Sequence, residues 1–336
     1  MLRLPPFTYL PSRTVADALK YLGDHGPQAM LVAGGTDLYP NMKRRQFEPK
    51  VLVGLRGIRE LVGVRMNGGL TIGAGTTLTR VAEHPDVVRD YPALATAAGL
   101  VSSPQLRNMG TIGGNVCVDT RCNYYNQSHP WRKAIGFCMK KDGDICLVAP
   151  SSPRCWAVSS SDTAPALWSL GAQVRLVGPK GERLIPIGAL YRDDGIAYLA
   201  KQADEIVTDI VLPPAEGWTS VYMKLRRRGS FDFPVLGVAV AVKMDGAVAR
   251  DARIVLGAVA SQPRDASDAA RMLVGARLTP EVIARVADKA AGPSKPLDNT
   301  DFTHPYRKKM TRVFVTRALR KIAGLPESGG SHEEIS

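Results

Sequence analysis

Ala29-Met30-Leu31-Val32-Ala33-Gly34-Gly35-Thr36-Asp37-Leu38, residues 29–38, reads as a short buried strand over Ala29 to Ala33 that runs straight into a double-glycine turn. Without Cβ atoms, Gly34 and Gly35 let backbone N–H groups approach a phosphate closely, and Thr36 adds a hydroxyl donor. Upstream, Val15, Ala16, Leu19 and Leu22 keep helical spacing behind Ser12 as expected N-cap, and Asp24, Gly26 and Pro27 end that helix. Downstream, Val51 to Leu55 reads as a second strand, so the opening unit is strand, tight turn, connection, strand.

A second unit begins at Leu70, with a strand over Leu70 to Ile72, a helix over Leu78 to Glu83 and another over Tyr91 to Leu100. It resumes with a helix over Ala164 to Leu170 and strands over Gln173 to Val177 and Glu205 to Leu212, before Pro213-Pro214 marks a linker. The remainder has another rhythm. Strands are expected over Val221 to Arg227, Val235 to Lys243 and Ala252 to Leu256, with an Asp245-Gly246 hairpin turn, and helices over Asp265 to Val274, Pro280 to Ala291 and Tyr306 to Ile322. The polar, glycine-containing tail from Pro326 has too little apolar surface to order itself.

The chain has 336 residues, 45% of them hydrophobic, enough for two or three domains with their own cores. Neither a secretory signal nor an apolar run long enough for a bilayer is visible, the longest lying around Leu236 to Val242, so a cytoplasmic protein without membrane contact is expected. The formal net charge of +13 is spread along the sequence without a nucleic-acid motif, which argues against nucleic acid as partner and fits a basic face for an acidic protein or anionic substrate.

Gly110-Thr111-Ile112-Gly113-Gly114-Asn115 offers the same chemistry as the first turn, so the two can grip a diphosphate from both sides. Either alone is more often just a turn. Gly73-Ala74-Gly75-Thr76-Thr77-Leu78 lacks the third glycine of a dinucleotide fingerprint and reads as structural.

Four of the five cysteines, Cys122, Cys138, Cys146 and Cys155, fall in one segment with Tyr124, Tyr125, Trp131, Phe137 and Trp156. Thiolates suit zinc, copper(I) or iron–sulfur clusters. Structural zinc usually shows close C-x2-C pairs, absent here, so spacing favours a [4Fe-4S] cluster. Zinc and a plain loop of buried thiols stay open. Cys117 lies outside this set as a buried or spare thiol.

Leu31 to Leu38, Ile72-Gly73-Ala74-Gly75-Thr76-Thr77, Thr111 to Asn115, Ser161-Asp162 and Tyr222-Met223-Lys224 with Arg227 occur in one order over nearly the whole chain. In these features the sequence resembles the FAD-binding subunits of the molybdenum hydroxylases, the xanthine and carbon monoxide dehydrogenase family. That resemblance implies an α+β protein: a vanillyl-alcohol-oxidase (PCMH) type FAD-binding domain of two subdomains, 1–57 and 58–214, and a carbon monoxide dehydrogenase flavoprotein type C-terminal domain, 217–325, with a three-stranded sheet and helices. It also implies FAD contacts from Leu31, Val32, Ala33, Gly34, Gly35, Thr36, Asp37 and Leu38, and from Thr111, Ile112, Gly113, Gly114 and Asn115. Val101 would lie near the ring, Asp162 would bond a sugar hydroxyl, and Val207 and Lys224 would be further contacts. Read by themselves, Asp162 is equally a helix N-terminal residue and Lys224 a solvated strand residue.

In the family the second glycine turn is followed almost at once by the Ser-Asp pair, whereas here 116–160 intervene. An insertion with four cysteines resembles that of 4-hydroxybenzoyl-CoA reductase β subunits, which implies Cys122, Cys138, Cys146 and Cys155 as ligands of a [4Fe-4S] cluster beside FAD. The implied partners are a molybdopterin-binding subunit and a [2Fe-2S] subunit, in a dimer of heterotrimers, with ferredoxin as electron donor. Because Arg132, Lys133, Lys140, Lys141 and Arg154 outnumber Asp142 and Asp144, the insertion is expected to present a basic face to an acidic ferredoxin. A zinc-stapled binding module and a stand-alone flavin oxidase are the competing classes, the latter weakened because no histidine or cysteine stands convincingly placed for covalent flavin.

Overall fold

The computed structural model describes residues 3–326, so the expected tail lies almost wholly outside the described residues. The N-terminal layer contains β1 (Thr8–Pro11), α1 (Val15–His25), β2 (Ala29–Val32), α2 (Leu38–Lys43) and β3 (Val51–Gly54), with a parallel sheet in the order β1-β3-β2. Central β3 is buried along its length, and Ala18 and Leu22 of α1 pack on it with Val51, Val53 and Ile58. Helix α1 is capped two residues later than expected, at Thr14 instead of Ser12. The Thr14 hydroxyl accepts from Asp17 N at 3.0 Å while Asp17 Oδ2 accepts from Thr14 N at 3.0 Å, a reciprocal box that Ser12 cannot make.

The second layer comprises β4 (Val64–Met66), β5 (Leu70–Gly73), α3 (Leu78–Glu83), α4 (Pro85–Asp90), α5 (Pro92–Gly99), α6 (Pro104–Arg107), α7 (Ile112–Val116), α8 (His129–Ala134), α9 (Thr163–Ser169), β6 (Gln173–Gly178), β7 (Gly181–Pro186) and β8 (Ile206–Leu212). Its five strands run β4-β5-β8-β6-β7. Strands β1, β4 and β7 carry no buried apolar alternation, since each is an exposed or half-exposed edge. Pattern reading therefore passes over them.

The third layer holds β9 (Trp218–Leu225), β10 (Leu236–Asp245), β11 (Val248–Gly257), β12 (Arg264–Asp265), α10 (Ser267–Arg271), α11 (Pro280–Ala290) and α12 (His304–Ile322). Its sheet has four strands, β12-β11-β10-β9, not three, because the segment expected to open a helix at Asp265 first pairs with Val255 and Leu256. Strand β10 shows why this sheet is covered on both sides. Leu236, Val238, Val240 and Val242 point into the core made with α11 and α12, while Ala239 on the other face meets Ala93, Ala97 and Ala166 of α5 and α9. Alternating large and small residues thus bury a thick core on one side and a thin seam on the other.

Candidate functional site

The strand β2 to α2 turn passes directly beneath the second glycine segment. A Cβ on Gly34 would collide with the Met109 carbonyl, and one on Gly110 would stand 3.4 Å from the Thr36 hydroxyl. The two glycine turns, 76 positions apart in the chain, therefore meet backbone to backbone. Gly35 holds a positive φ of 70° against the Tyr39 ring, a conformation that side chains rarely adopt. Among the described residues, no protein acceptor takes the N–H groups of Gly34, Gly35, Thr36 or Asp37, and all four residues are half-buried. Successive uncommitted N–H groups at a helix start form a concave site for an anionic oxygen.

The second turn is differently employed. Ile112 N donates to Thr76 O at 2.9 Å, Gly113 N to Ala74 O at 2.8 Å, and Gly114 N to the Thr111 hydroxyl at 3.0 Å. Asn115 Oδ1 accepts from the Ser161 and Thr163 hydroxyls at 2.8 and 2.6 Å, fixing the start of α9. Of Thr111 to Asn115, only Gly114 is exposed. This segment builds the wall against which the first turn rests. The 73–78 segment is likewise spent on packing, for Thr76 Oγ1 both accepts from Gly63 N and donates to Gly63 O.

Leu31, Leu38 and Val101 are half-buried against three different cores, whereas Val207 is buried with Ala74 and Leu176. Asp162 occupies the N-cap position of α9 but its side chain does not cap. Its carboxylate instead accepts from Tyr222 Oη at 2.8 Å and Lys224 Nζ at 2.9 Å, both oxygens being committed within the protein. Lys224 is no solvated strand residue: its side chain is 1% exposed and also donates to Leu100 O and Asp232 O. Burial pushes the Asp162 carboxyl up and the Lys224 ammonium down, and their contact opposes both shifts.

The insertion leaves after α7 and is closed at its base by Arg121 N to Val158 O (2.8 Å) and Val158 N to Arg121 O (2.7 Å). Just above this base lie Cys122 and Cys155, and a tight turn from Cys138, in which Met139 N bonds Ile145 O, brings Cys138 and Cys146 opposite them. All four thiols are buried, none is in a disulfide, and all line one small cavity of about 10 Å³ together with Tyr124, Tyr125 and Lys140. Among the described residues no group of three or more His, Cys, Asp or Glu side chains is gathered tightly enough for a single metal ion. Burial pushes the Cys122 thiol up to about 12 and the Cys155 thiol up to about 11, so these become thiolates only against a cationic group in the cavity. Cys117 stands outside the cavity, its thiol pushed up to about 11 by burial.

The basic face expected on the insertion does not form. Arg132 is buried and donates to the Arg44 and Arg45 carbonyls at 2.9 and 3.1 Å, Lys140 is buried against Asp119, and Arg154 pairs with Asp193 while stacking on Trp156. Lys133, Asp142 and Asp144 are the exposed charges there, with Lys141 half-buried. Two residues that pattern reading passes over matter more. Arg121 pairs with Asp37 of the first glycine turn and lies 4.3 Å from the Phe233 ring centroid, tying the insertion to that turn. Gly195 N donates to Cys155 O at 2.9 Å, and a Cβ at Gly195 would stand 2.6 Å from Cys155 Sγ.

A glycine turn with free N–H groups, walled by a second one on an α+β scaffold, is suited to an anionic group such as a cofactor phosphate. A model of the FAD binding domain in molybdopterin dehydrogenases matches residues 5–215, and one of the CO dehydrogenase flavoprotein C-terminal domain matches residues 220–322. The carbon monoxide dehydrogenase medium chain of Afipia carboxidovorans is 30% identical over 317 residues, 94% of this chain and 96% of its own. The aldehyde oxidoreductase FAD-binding subunit PaoB of Escherichia coli K12 is 34% identical over 76% of this chain and 82% of its own. A crystal structure of Cu,Mo-CO dehydrogenase superposes with a TM-score of 0.80 at 28% identity, covering 96% of this chain and 99% of that one. The chain belongs to the FAD-binding subunits of the molybdenum hydroxylase family, which includes the carbon monoxide and xanthine dehydrogenases. Its fold is the PCMH-type FAD-binding domain followed by the flavoprotein C-terminal domain. No described helix is long and apolar enough to cross a membrane.

Proposed function

We propose that this chain is the electron-transfer subunit of a molybdenum enzyme of the 4-hydroxybenzoyl-CoA reductase type, holding FAD at the 34–37 turn and a [4Fe-4S] cluster on Cys122, Cys138, Cys146 and Cys155. The observation that carries the finer reading is the single cavity ringed by four buried thiols in a loop inserted after the second glycine turn. Four thiolates suit an iron–sulfur cluster by their donor chemistry, and the lack of a close C-x2-C pair disfavours the zinc-stapled alternative.

The free N–H groups of Gly34 to Asp37 would take the FAD diphosphate, with the exposed Gly114 leaving room for it at the facing turn and Val101 bordering the ring. When bound, FAD supplies exchange between one- and two-electron steps, and the cluster supplies a one-electron relay. The protein's share is to keep both dry and at fixed separation, through the buried Tyr125 and Cys-lined loop on one side and the Arg121–Asp37 tie on the other. A molybdopterin-binding subunit and a [2Fe-2S] subunit would complete the enzyme as a dimer of heterotrimers, with ferredoxin as donor and reductive dehydroxylation of 4-hydroxybenzoyl-CoA as the reaction. Docking of such a donor cannot rely on Lys140 or Arg132, which are buried.

The test is purification with the partner subunits, followed by iron and flavin analysis and an assay with reduced ferredoxin. Four irons per flavin beyond those of the [2Fe-2S] subunit, and formation of benzoyl-CoA, are expected. Stoichiometric zinc, or activity only as an oxidative hydroxylase, would overturn the reading.

A further inference from the structure

Lys140 sits two residues after Cys138 and lines the thiol cavity, yet its side chain is only 5% exposed. Its ammonium spends its three donors on Asp119 Oδ1 at 2.7 Å, the Thr120 hydroxyl at 2.5 Å and Gly195 O at 2.6 Å. It also lies 4.7 and 5.6 Å from the Tyr125 and Tyr198 ring centroids. Burying an ammonium is costly even when paired, so an apolar residue of the same length would serve a merely structural loop at least as well. Asp119 is its only carboxylate partner among the described residues, is 6% exposed, and does not line the cavity. The charge of Lys140 acts on the Cys155 thiol, whereas Asp119 stands off the cavity lining.

We infer that Lys140 is a tuning residue for the redox group held by Cys122, Cys138, Cys146 and Cys155, its fixed positive charge favouring the more negative, reduced state and so raising the reduction potential. This rests on the cluster reading above. A four-thiolate cluster gains a negative charge on reduction, and in a dry cavity a neighbouring cation lowers the cost of that charge with little screening. The geometry makes the assignment signed on both members of the pair. Removing the cation lowers the potential, and removing the charge of Asp119 while keeping its oxygen acceptor raises it.

The experiment is a spectroscopic redox titration of the purified complex carrying Lys140→Met, Lys140→Arg or Asp119→Asn, with iron and flavin contents measured on the same samples. Lys140→Met is expected to shift the cluster midpoint downward, Asp119→Asn upward, and Lys140→Arg to stay near the parent, with the flavin midpoints unmoved in all three. If Lys140→Met fails to retain iron, the upward shift of Asp119→Asn alone decides. Midpoints that do not move, or move in one direction for both charge changes, overturn the inference while leaving the cluster reading intact. A parent complex without the extra iron overturns the cluster reading and this inference with it.

Discussion

Gly34 is where the smallest change should have the largest effect. Any Cβ there meets backbone, the Met109 carbonyl and the Gly110 Cα, and backbone cannot step aside as a side-chain tip can. Gly34→Ala is expected to yield a chain that purifies without flavin absorbance, while far-ultraviolet circular dichroism keeps its parent shape. Lys224 governs stability in another way. Lys224→Met leaves the Asp162 carboxylate buried with Tyr222 alone, and breaking a buried pair from one side costs about 3–5 kcal/mol. Burial holds that carboxyl above its unfolded value, so its protonated form favours the fold. The deficit should be smallest in acid and grow as pH rises through the carboxyl's range, as urea denaturation at several pH values would reveal. Gly34 could be read from sequence because a double glycine after a strand has few explanations. Asp162 and Lys224 were legible as positions but not as a pair, since the partners are 62 residues apart on different layers.

At the level of elements, the insertion tests how far composition can be read as surface. Its four cysteines do come together around one cavity, but its basic residues turn inward. The reason is satisfaction of buried acceptors: Arg132 serves two carbonyls at the end of α2, and Lys140 serves Asp119. A charge count along the chain contains no backbone carbonyl and does not show that Asp119 faces Lys140. The segment around Gly195 was invisible for the same reason, because nothing local marks it as a neighbour of Cys155. Gly195→Ala would drive a methyl to within 2.6 Å of Cys155 Sγ. The expected outcome is a lowered iron-to-flavin ratio with flavin content unchanged, measured by metal analysis and absorbance. Equal loss of both would place Gly195 in general folding instead.

On the scale of the molecule, the layers were readable where apolar runs are long, as in Leu236–Val242, and unreadable where edge strands such as β1, β4 and β7 owe their form to a neighbour. The seam between the FAD-binding part and the C-terminal sheet is built from Ala93, Ala97, Ala166 and Ala239 around Tyr222. A chain cut after residue 215 would expose Ala93, Ala97 and Ala166 and strand Asp162 without either of its partners. Such a fragment is expected to be aggregated or expanded by size-exclusion chromatography, whereas the full chain is not. Lys224 crosses the seam to the Leu100 carbonyl, beside Val101. A pivot needs a boundary that can part and close again, and here parting would strip an ammonium and a carboxylate of each other in a dry crevice. Parting along this seam therefore carries the cost of a broken buried ion pair, and that cost holds the two parts together.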